Sequence, residues 1–394
     1  MPGKQDLIRK DNIIDIIKIL RSKQSCAVDL AKELKISTVA VSKIIAYMKN
    51  IGAVEESGNL NTVCGRKPVL LKLNRNFAMI AVVVLNESAT KIYFVSVNGQ
   101  FVDKIIYPDT EMFVSRERIK EIEQDIKNVC KKNADIPLIS IVFSASGKIN
   151  CYTGEIIYAQ KIEDFRNVNF KKSFENIFHV PVIVCNDVHL AMEGEASIPE
   201  RRNIMNNTLY LYIDKGMGSA LMLDGKIVYG SSGLAGEIGL FDISAYETAF
   251  CNKKIKLCNN YVALNAMVNM YQCRKEKREY ELNYDKTEEE INEFISLYQG
   301  GNELAREIVH RSAACLGGLI YSFAEFLNFD NVILTGGIKK LGEEYRNVLM
   351  DFINNNATFL KVDVDYSILD NEAIVIGAIN RGIMVGIENY FTKK

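Results

Sequence analysis

No apolar run in the 394-residue sequence approaches eighteen residues, so the chain offers no membrane-spanning helix. Its opening stretch, Met1–Lys10, is polar and charged and lacks the apolar core of a secretory signal. The nine cysteines are scattered, odd in number and never form C-x-x-C, which argues against a disulfide framework and for reduced thiols. Six prolines against 25 glycines leave no room for a low-complexity linker. Together these absences predict a cytoplasmic protein with no membrane partner.

What is present points to several domains. The length suits two or three cores rather than one, and a hydrophobic fraction of 48% is ordinary for a globular chain. The net charge is only −1 but is unevenly spread: residues 1–73 hold 13 Lys and Arg against 7 Asp and Glu. That segment carries +6 and the remainder −7. A basic module on an acidic body fits a nucleic-acid partner for the first part alone.

Within that basic segment, Asp11–Leu20 places Ile13, Ile14, Ile16, Ile17, Ile19 and Leu20 on one broad helical face. A second helix, Val28–Leu34, turns Leu30, Ala31 and Leu34 inward. Lys35-Ile36-Ser37 is a short turn, and Ser37 is a natural N-cap for a third helix, Thr38–Lys49. Helix, tight turn, helix is a DNA-reading unit whose second member lies in the major groove. Val41, Ile44, Ile45 and Met48 fall on the core side of that helix. Ser37, Thr38, Val39, Ser42 and Lys43 are left for base edges and phosphates. Ile51–Glu56 and Val69–Leu73 read as two strands of a wing, with Gly65-Arg66-Lys67-Pro68 between them. Arg66 and Lys67 are placed to reach phosphates or a minor groove.

From Phe77 the texture changes. Ile80–Leu85, Lys91–Val97 and Phe101–Tyr107 read as a meander, followed by a helix over Arg116–Lys132 and strands at Leu138–Phe143 and Pro181–Cys185. The rhythm restarts at Thr208–Ile213 and Ser219–Leu223, with Asp224-Gly225 as the hairpin turn. Leu304–Leu327 reads as a long helix with Gly317-Gly318 in close packing, Arg274–Glu293 as a charged, solvated helical excursion, and Asn371–Asn389 as a final helix. Two β-rich halves, each followed by helices, predict a two-lobed α/β body with a cleft.

Several ordered motifs in this body are recognisable. Asn186-Asp187-Val188-His189-Leu190-Ala191-Met192-Glu193-Gly194-Glu195 is similar to the N-D-x-N-x-A-x-x-G-E segment of the ROK family of repressors, open reading frames and sugar kinases. Ala235-Gly236-Glu237-Ile238-Gly239 resembles its A-G-E-I-G-H segment, and Leu334-Thr335-Gly336-Gly337-Ile338 its nucleotide-side glycine turn. Ser146-Gly147-Lys148-Ile149-Asn150 with Thr153-Gly154 resembles its P-G-x-[VI]-[DN]…T-G stretch. The N-terminal pattern is similar to the winged helix of its sugar-responsive repressors. The resemblance implies an N-terminal winged helix-turn-helix over 1–73 and a sugar-kinase-like, actin/hexokinase-type ATPase domain over 74–394. Lobe one would take about 74–187 plus the C-terminal helix 371–394, and lobe two about 188–370.

The departures from the family pattern bear on chemistry. Asp187 matches the family's catalytic base, but no catalytic residue is expected to remain in use. The first phosphate loop should read D-x-G-G-T-K and is Asn86-Glu87-Ser88-Ala89-Thr90-Lys91; the second should read G-T-G-x-G-G and is Asp214-Lys215-Gly216-Met217-Gly218-Ser219. Side chains where glycines should let backbone N–H groups close on phosphate oppose ATP binding. The zinc pattern is also broken, with Leu240 in place of the histidine and Cys251 and Cys258 without neighbouring cysteines, so neither metal nor other cofactor is expected.

The resemblance leaves Asn186, Asp187, Glu237 and Gly147 as effector-binding residues. Lys161 stands where the family has asparagine; it could pair with Asp187 or Glu237, or select an anionic sugar derivative. The expected protein is thus a regulator, a repressor of carbohydrate-utilisation genes, with its cleft used as a sugar sensor. It would act as a homodimer or dimer of dimers on an imperfect palindrome of double-stranded DNA. An active sugar kinase, or a regulator that has lost its sugar, are the alternatives.

Overall fold

The structure, a computed structural model, describes residues 4–59, 68–85, 89–108, 116–158, 169–245, 256–280, 283, 285–356 and 360–392. It divides into two units, Met1–Asn186 with Ala378–Lys394, and Asp187–Gly377.

The first unit opens with α1 (Lys4–Ser22), β1 (Ser25–Cys26), α2 (Ala27–Leu34), α3 (Thr38–Asn50), β2 (Val54–Asn59) and β3 (Val69–Leu73). The three strands form a sheet in the order β1-β3-β2. Ile13, Ile16, Ile17 and Leu20 of α1, Leu30 and Ala31 of α2, and Val41, Ile44, Ile45 and Met48 of α3 are all buried. The spacing of the α3 residues is that of one helical face, which fixes the opposite face outward. α1 begins several residues before the apolar stripe that marks it in the sequence. Between α2 and α3 the chain reverses at Lys35, which adopts φ 55° as the C-cap, and the Ser37 hydroxyl accepts from Ala40 N at 3.2 Å.

The remainder of this unit is built on β4 (Met79–Leu85), β5 (Ala89–Ser96), β6 (Phe101–Pro108), α4 (Arg116–Lys132), β7 (Leu138–Ala145), β8 (Lys148–Asn150), β9 (Glu155–Tyr158), α5 (Phe170–Phe178) and β10 (Val182–Asn186). The sheet order is β10-β7-β4-β5-β6, with β4 antiparallel to β5 and parallel to β7. Every residue of β4 is buried, so its sequence MIAVVVL is continuously apolar rather than alternating. Ile122, Ile126 and Val129 of α4 and Phe170 and Phe174 of α5 pack into the same core as Ile141 and Phe143 of β7.

The second unit repeats the plan. It contains α6 (Asp187–Ala196), β11 (Thr208–Ile213), β12 (Met217–Leu223), β13 (Lys226–Ile227), α7 (Asn259–Val262), α8 (Leu264–Lys275), α9 (Glu288–Gln299), α10 (Glu303–Leu327), β14 (Asn331–Thr335), α11 (Gly342–Asn356) and β15 (Asp363–Tyr366). Its sheet runs β13-β12-β11-β14-β15, so in both sheets a three-strand meander is extended by two parallel strands from its first member. The Asp224-Gly225 turn between β12 and β13 has φ 51° and 69°, the paired positive values of a tight hairpin. α10 is capped by Asn302, whose side chain accepts from Ala305 N, and it packs closely on α11 at Gly317, where a Cβ would lie 2.9 Å from Leu349 O.

One expectation needs correcting. The charged segment 274–293 is no simple solvated excursion: Tyr280, Lys286 and Ile291 are buried. The Tyr280 hydroxyl donates to Asn260 O at 3.2 Å, and Lys286 Nζ donates to Gln272 Oε1 at 2.5 Å. Its dense charge hid these anchors.

The last helix, α12 (Glu372–Thr392), begins in the second unit and ends in the first. In the second unit its start lies against α6 with no room between: a Cβ on Gly194 would meet Ala373 O at 2.0 Å, and one on Gly377 would meet Leu190 O at 1.8 Å. In the first unit its far end holds the winged helix. Arg21 Nη2 donates to Asn380 Oδ1 at 2.7 Å, Lys10 Nζ donates to Thr392 Oγ1 at 2.6 Å, and the rings of Tyr47 and Phe391 lie 6.3 Å apart.

Candidate functional site

Two surfaces carry the residues singled out by sequence. The first is the outer face of α3. Ser37, Thr38, Val39, Ser42 and Lys43 are all exposed, Val39 to 67%. A large apolar side chain so far out of the core, flanked by hydroxyls and a cation, makes a surface able to meet thymine methyls, base edges and phosphates together. The wing residues Arg66 and Lys67 lie outside the described residues, between the ends of β2 and β3.

The second is the set of motif residues in the body, which divides between the units. In the first unit Asn186, at the end of β10, donates from Nδ2 to Gly147 O at 2.9 Å. Two of the sequence-derived effector residues are thereby held together. Lys161, and Asn86-Glu87-Ser88 of the first phosphate loop, lie outside the described residues.

In the second unit Asp187 is the first residue of α6, half-buried, with Oδ1 accepting from Val188 N at 2.9 Å. Val188 packs on Gly218 at the start of β12, where an added Cβ would stand 2.6 Å from Val188 Cγ2. The next residue, Ser219, anchors the A-G-E-I-G segment: its hydroxyl donates to Gly236 O and accepts from Ile238 N. Gly236 has φ 103° with Ser219 O 2.7 Å from where a Cβ would be, so only glycine lets the segment pass here. Asp187 and the exposed Glu237 thus each neighbour a residue that is held against the Gly218-Ser219 step. The chain before this segment, joined to it where Ala235 N donates to Tyr229 O at 3.1 Å, meets α6 through Tyr229, whose ring meets His189 edge-on at 5.0 Å and whose hydroxyl donates to Glu193 at 3.3 Å.

The remaining loop residue, Asp214, has its carboxyl pKa raised by burial, an effect opposed by backbone hydrogen bonds from Lys215 and Gly337 and by nearby lysines. Beside it is a cavity of about 340 Å³ whose lining includes Lys215, Lys339, Lys340 and Asp370.

Glu195 is a residue whose role the sequence did not reveal. It is fully buried, accepting from Arg201 Nε at 3.2 Å, the Ser367 hydroxyl at 2.7 Å and Ile368 N at 2.9 Å. It ties α6 to the turn before α12 rather than facing a ligand. Its partners lie up to 174 positions away, and no local spacing signals such a pairing.

The residues at the family's zinc position do not fit a zinc ion. Leu240 is exposed where a histidine is needed, Phe241 stacks edge-on against Phe323 at 4.6 Å, and Cys258 is buried with its sulfur 3.7 Å from Met217 Sδ. Burial pushes the Cys258 thiol up to about 12, so it is a neutral core group, and Cys251 lies outside the described residues. Among the described residues no three His, Cys, Asp or Glu side chains cluster as metal ligands.

Three helices with a three-strand sheet, followed by two five-strand sheets of matching topology, define a winged-helix-like N-terminal module on a sugar-kinase-like body. The chain belongs to the ROK family, whose sequence profile matches residues 89–380. Over nearly its full length it is similar to members of that family's repressor branch. A xylose repressor of Caldicellulosiruptor bescii is 23% identical over 391 residues, covering 96% of each chain. A ROK family transcriptional regulator, a homolog of the E. coli MLC protein, superposes with a TM-score of 0.78 over 98% of both chains at 17% identity. The ROK hexokinase of Thermus thermophilus matches 77% of this chain and 97% of its own, with a TM-score of 0.63 and 17% identity. The hexokinase likeness covers much less of this chain than the regulator likeness does. Among the described residues no helix is long and apolar enough to cross a membrane.

Proposed function

We propose that this protein is a cytoplasmic, DNA-binding transcriptional repressor of carbohydrate-utilisation genes, whose body senses a sugar and transfers no phosphoryl group. The observation that carries the reading is the outward face of α3, Ser37, Thr38, Val39, Ser42 and Lys43, set on a basic module and held at its base by α12. Arg66 and Lys67 would add phosphate or minor-groove contacts. A homodimer, or a dimer of dimers, would place two such helices in half-sites of an imperfect palindrome one or more helical turns apart.

Asn186, Gly147, Asp187 and Glu237 would hold the effector, with Lys161 either pairing with Asp187 or Glu237 or selecting an anionic sugar derivative. The full-length xylose repressor relative makes xylose the first sugar to try. An effector acts only through its difference in affinity between two states, typically about 1–3 kcal/mol of coupling. α12 is the element suited to carry it: its first turns are locked on α6, which begins at Asp187, and its last turns hold α1 and α3.

The test is a thermal-shift screen of sugars, sugar phosphates and sugar acids, followed by operator binding with the responding compound. A ligand at about 100 times its dissociation constant adds about 2.7 kcal/mol of stability. Asp187→Ala is expected to abolish the response of DNA binding to effector while leaving affinity for DNA unchanged. An undiminished response in that variant would refute the assignment of the site. ATP turnover with a panel of hexoses would instead favour the kinase reading.

A further inference from the structure

β10 stands at the edge of the first unit's sheet and pairs with β7, Cys185 opposite Ser144 and Asn186 opposite Ala145. Its side chains alternate between two environments. Val184 lies in the core with α5, where a Cβ on Gly154 would stand 3.3 Å from Val184 Cγ2. Cys185 points to the other face, fully buried, and its sulfur accepts from Arg381 Nη1 of α12 at 3.4 Å. The strand ends at Asn186, bonded to Gly147 O and proposed to hold the effector.

α12 is set firmly against the same face of the sheet. Ser140 Oγ donates to Gly382 O at 2.7 Å. A Cβ on Gly382 would come 2.8 Å from Val142 Cγ2, and one on Gly386 2.8 Å from Ile139 Cγ1. Just before these glycines, two successive side chains engage two different elements. Arg381 reaches β10. Asn380, about 100° away around the helix, accepts at 2.7 Å from Nη2 of Arg21 in the last turn of α1. Arg21 Nε is buried with no hydrogen-bond partner among the described residues, so a guanidinium already short of one bond is costly to part from Asn380. Two contacts, Cys185 to Arg381 and Asn380 to Arg21, thus span the way from β10 to the winged helix.

We propose that Arg381 and Asn380 are a positioning pair that links β10 to α1, so that a shift of the strand at its effector end resets the winged helix. Either contact alone would be a packing detail. Their adjacency on one helix makes them a coupling, because a change that moves Arg381 also moves Asn380. The glycine contacts at 382 and 386 hold helix to sheet without slack, so a movement of β10 is passed on rather than absorbed. The Cys185 side of the strand carries the link and the Val184 side does not. This rests on the reading of Asn186 as an effector residue and says how that site regulates the DNA-reading module. Its test uses neither effector nor operator, so either reading can fail while the other stands.

The experiment is hydrogen–deuterium exchange of the full-length protein, read in residues 17–22 of α1 and 182–186 of β10. Cys185→Ala removes the acceptor of Arg381 and is expected to speed exchange in α1 by about threefold or more. Cys185→Ser keeps an acceptor and is expected to stay near wild type there. Val184→Ala, on the same strand but the opposite face, is expected to loosen β10 and leave α1 unchanged. From the other end, Arg21→Met keeps the stem without the guanidinium and is expected to speed exchange in β10 by about threefold, since coupling is reciprocal. The two directions use different variants, so a failure of one to fold leaves the other to decide. The proposal is overturned when Cys185→Ala and Arg21→Met each alter only their own element, or when Val184→Ala moves α1 as much as Cys185→Ala does.

Discussion

The winged helix and the second unit place their polar groups by opposite rules. On α3 the residues that could read DNA, Val39 among them, point outward, and Val41, Ile44, Ile45 and Met48 point in at helical spacing. In the second unit polar side chains are inside and engaged with distant partners: Glu195 with Arg201 and Ser367, Ser219 with Gly236. The difference teaches where function and stability separate. A change on the outer face of α3 should alter what the protein binds and little else. A change at the interior groups should alter whether the unit holds together.

The largest expected effect tests the interior half of that contrast. Glu195→Ala removes a fully buried carboxylate and leaves Arg201, 6% exposed, with only Asp365 at 2.7 Å as its carboxylate partner. It also takes the acceptor from the Ser367 O–H and from the N–H of Ile368. Breaking one side of a buried pair costs about 3–5 kcal/mol. Urea denaturation should show that loss in the transition that reports the second unit. A loss below about 1 kcal/mol would mean the pair is no latch, and the contrast between regions would weaken.

How much of this was legible follows the same divide. The helix-turn-helix could be read because one period decides both burial and exposure; Val41, Ile44, Ile45 and Met48 fell inside as their spacing required, and Ser37 caps α3. The meanders and the long helix α10 were likewise legible from alternation, turns and caps. Motif matching located Asp187 and Glu237 but said nothing of what holds them. That depends on Ser219, Gly218 and Tyr229 meeting across long separations, which no local pattern encodes. α8 and the anchors at Tyr280 and Lys286 were missed for a related reason. Within α8, Asn265 and Asn269 are buried alongside the apolar residues, so its polar positions trace no outward face.

The exposed half of the contrast predicts intermediate effects without loss of stability. Ser42→Ala should weaken operator binding by about 1–3 kcal/mol where the hydroxyl meets a base edge, and relax preference at that position. Lys43→Ala should weaken binding evenly across sequences and lower the salt slope by about 1. Fluorescence anisotropy across a salt series separates the two. Either variant shifting the melting temperature by more than a degree or so would place that residue in the fold rather than at an interface.

The smallest effect lies between the two regimes, at the start of α9. Glu290 is at the surface yet tied down: it accepts from Gln272 and Lys286 and from Thr287 N, while the Thr287 hydroxyl accepts from Glu290 N. The Gln272 amide, then the Thr287 N–H, hold its carboxyl down from 4.5 to about 2. A folded pKa below the unfolded one means the stabilisation is complete above pH 4.5 and drains away as pH falls toward 2. Solvent screening keeps its size under about 1 kcal/mol. Glu290→Gln should flatten that acid limb of the stability curve and leave the neutral plateau lower by the same small amount. An unchanged acid limb would show that a polar cluster at the surface contributes nothing measurable even when fully bonded, and would draw the line between the two regimes at burial itself.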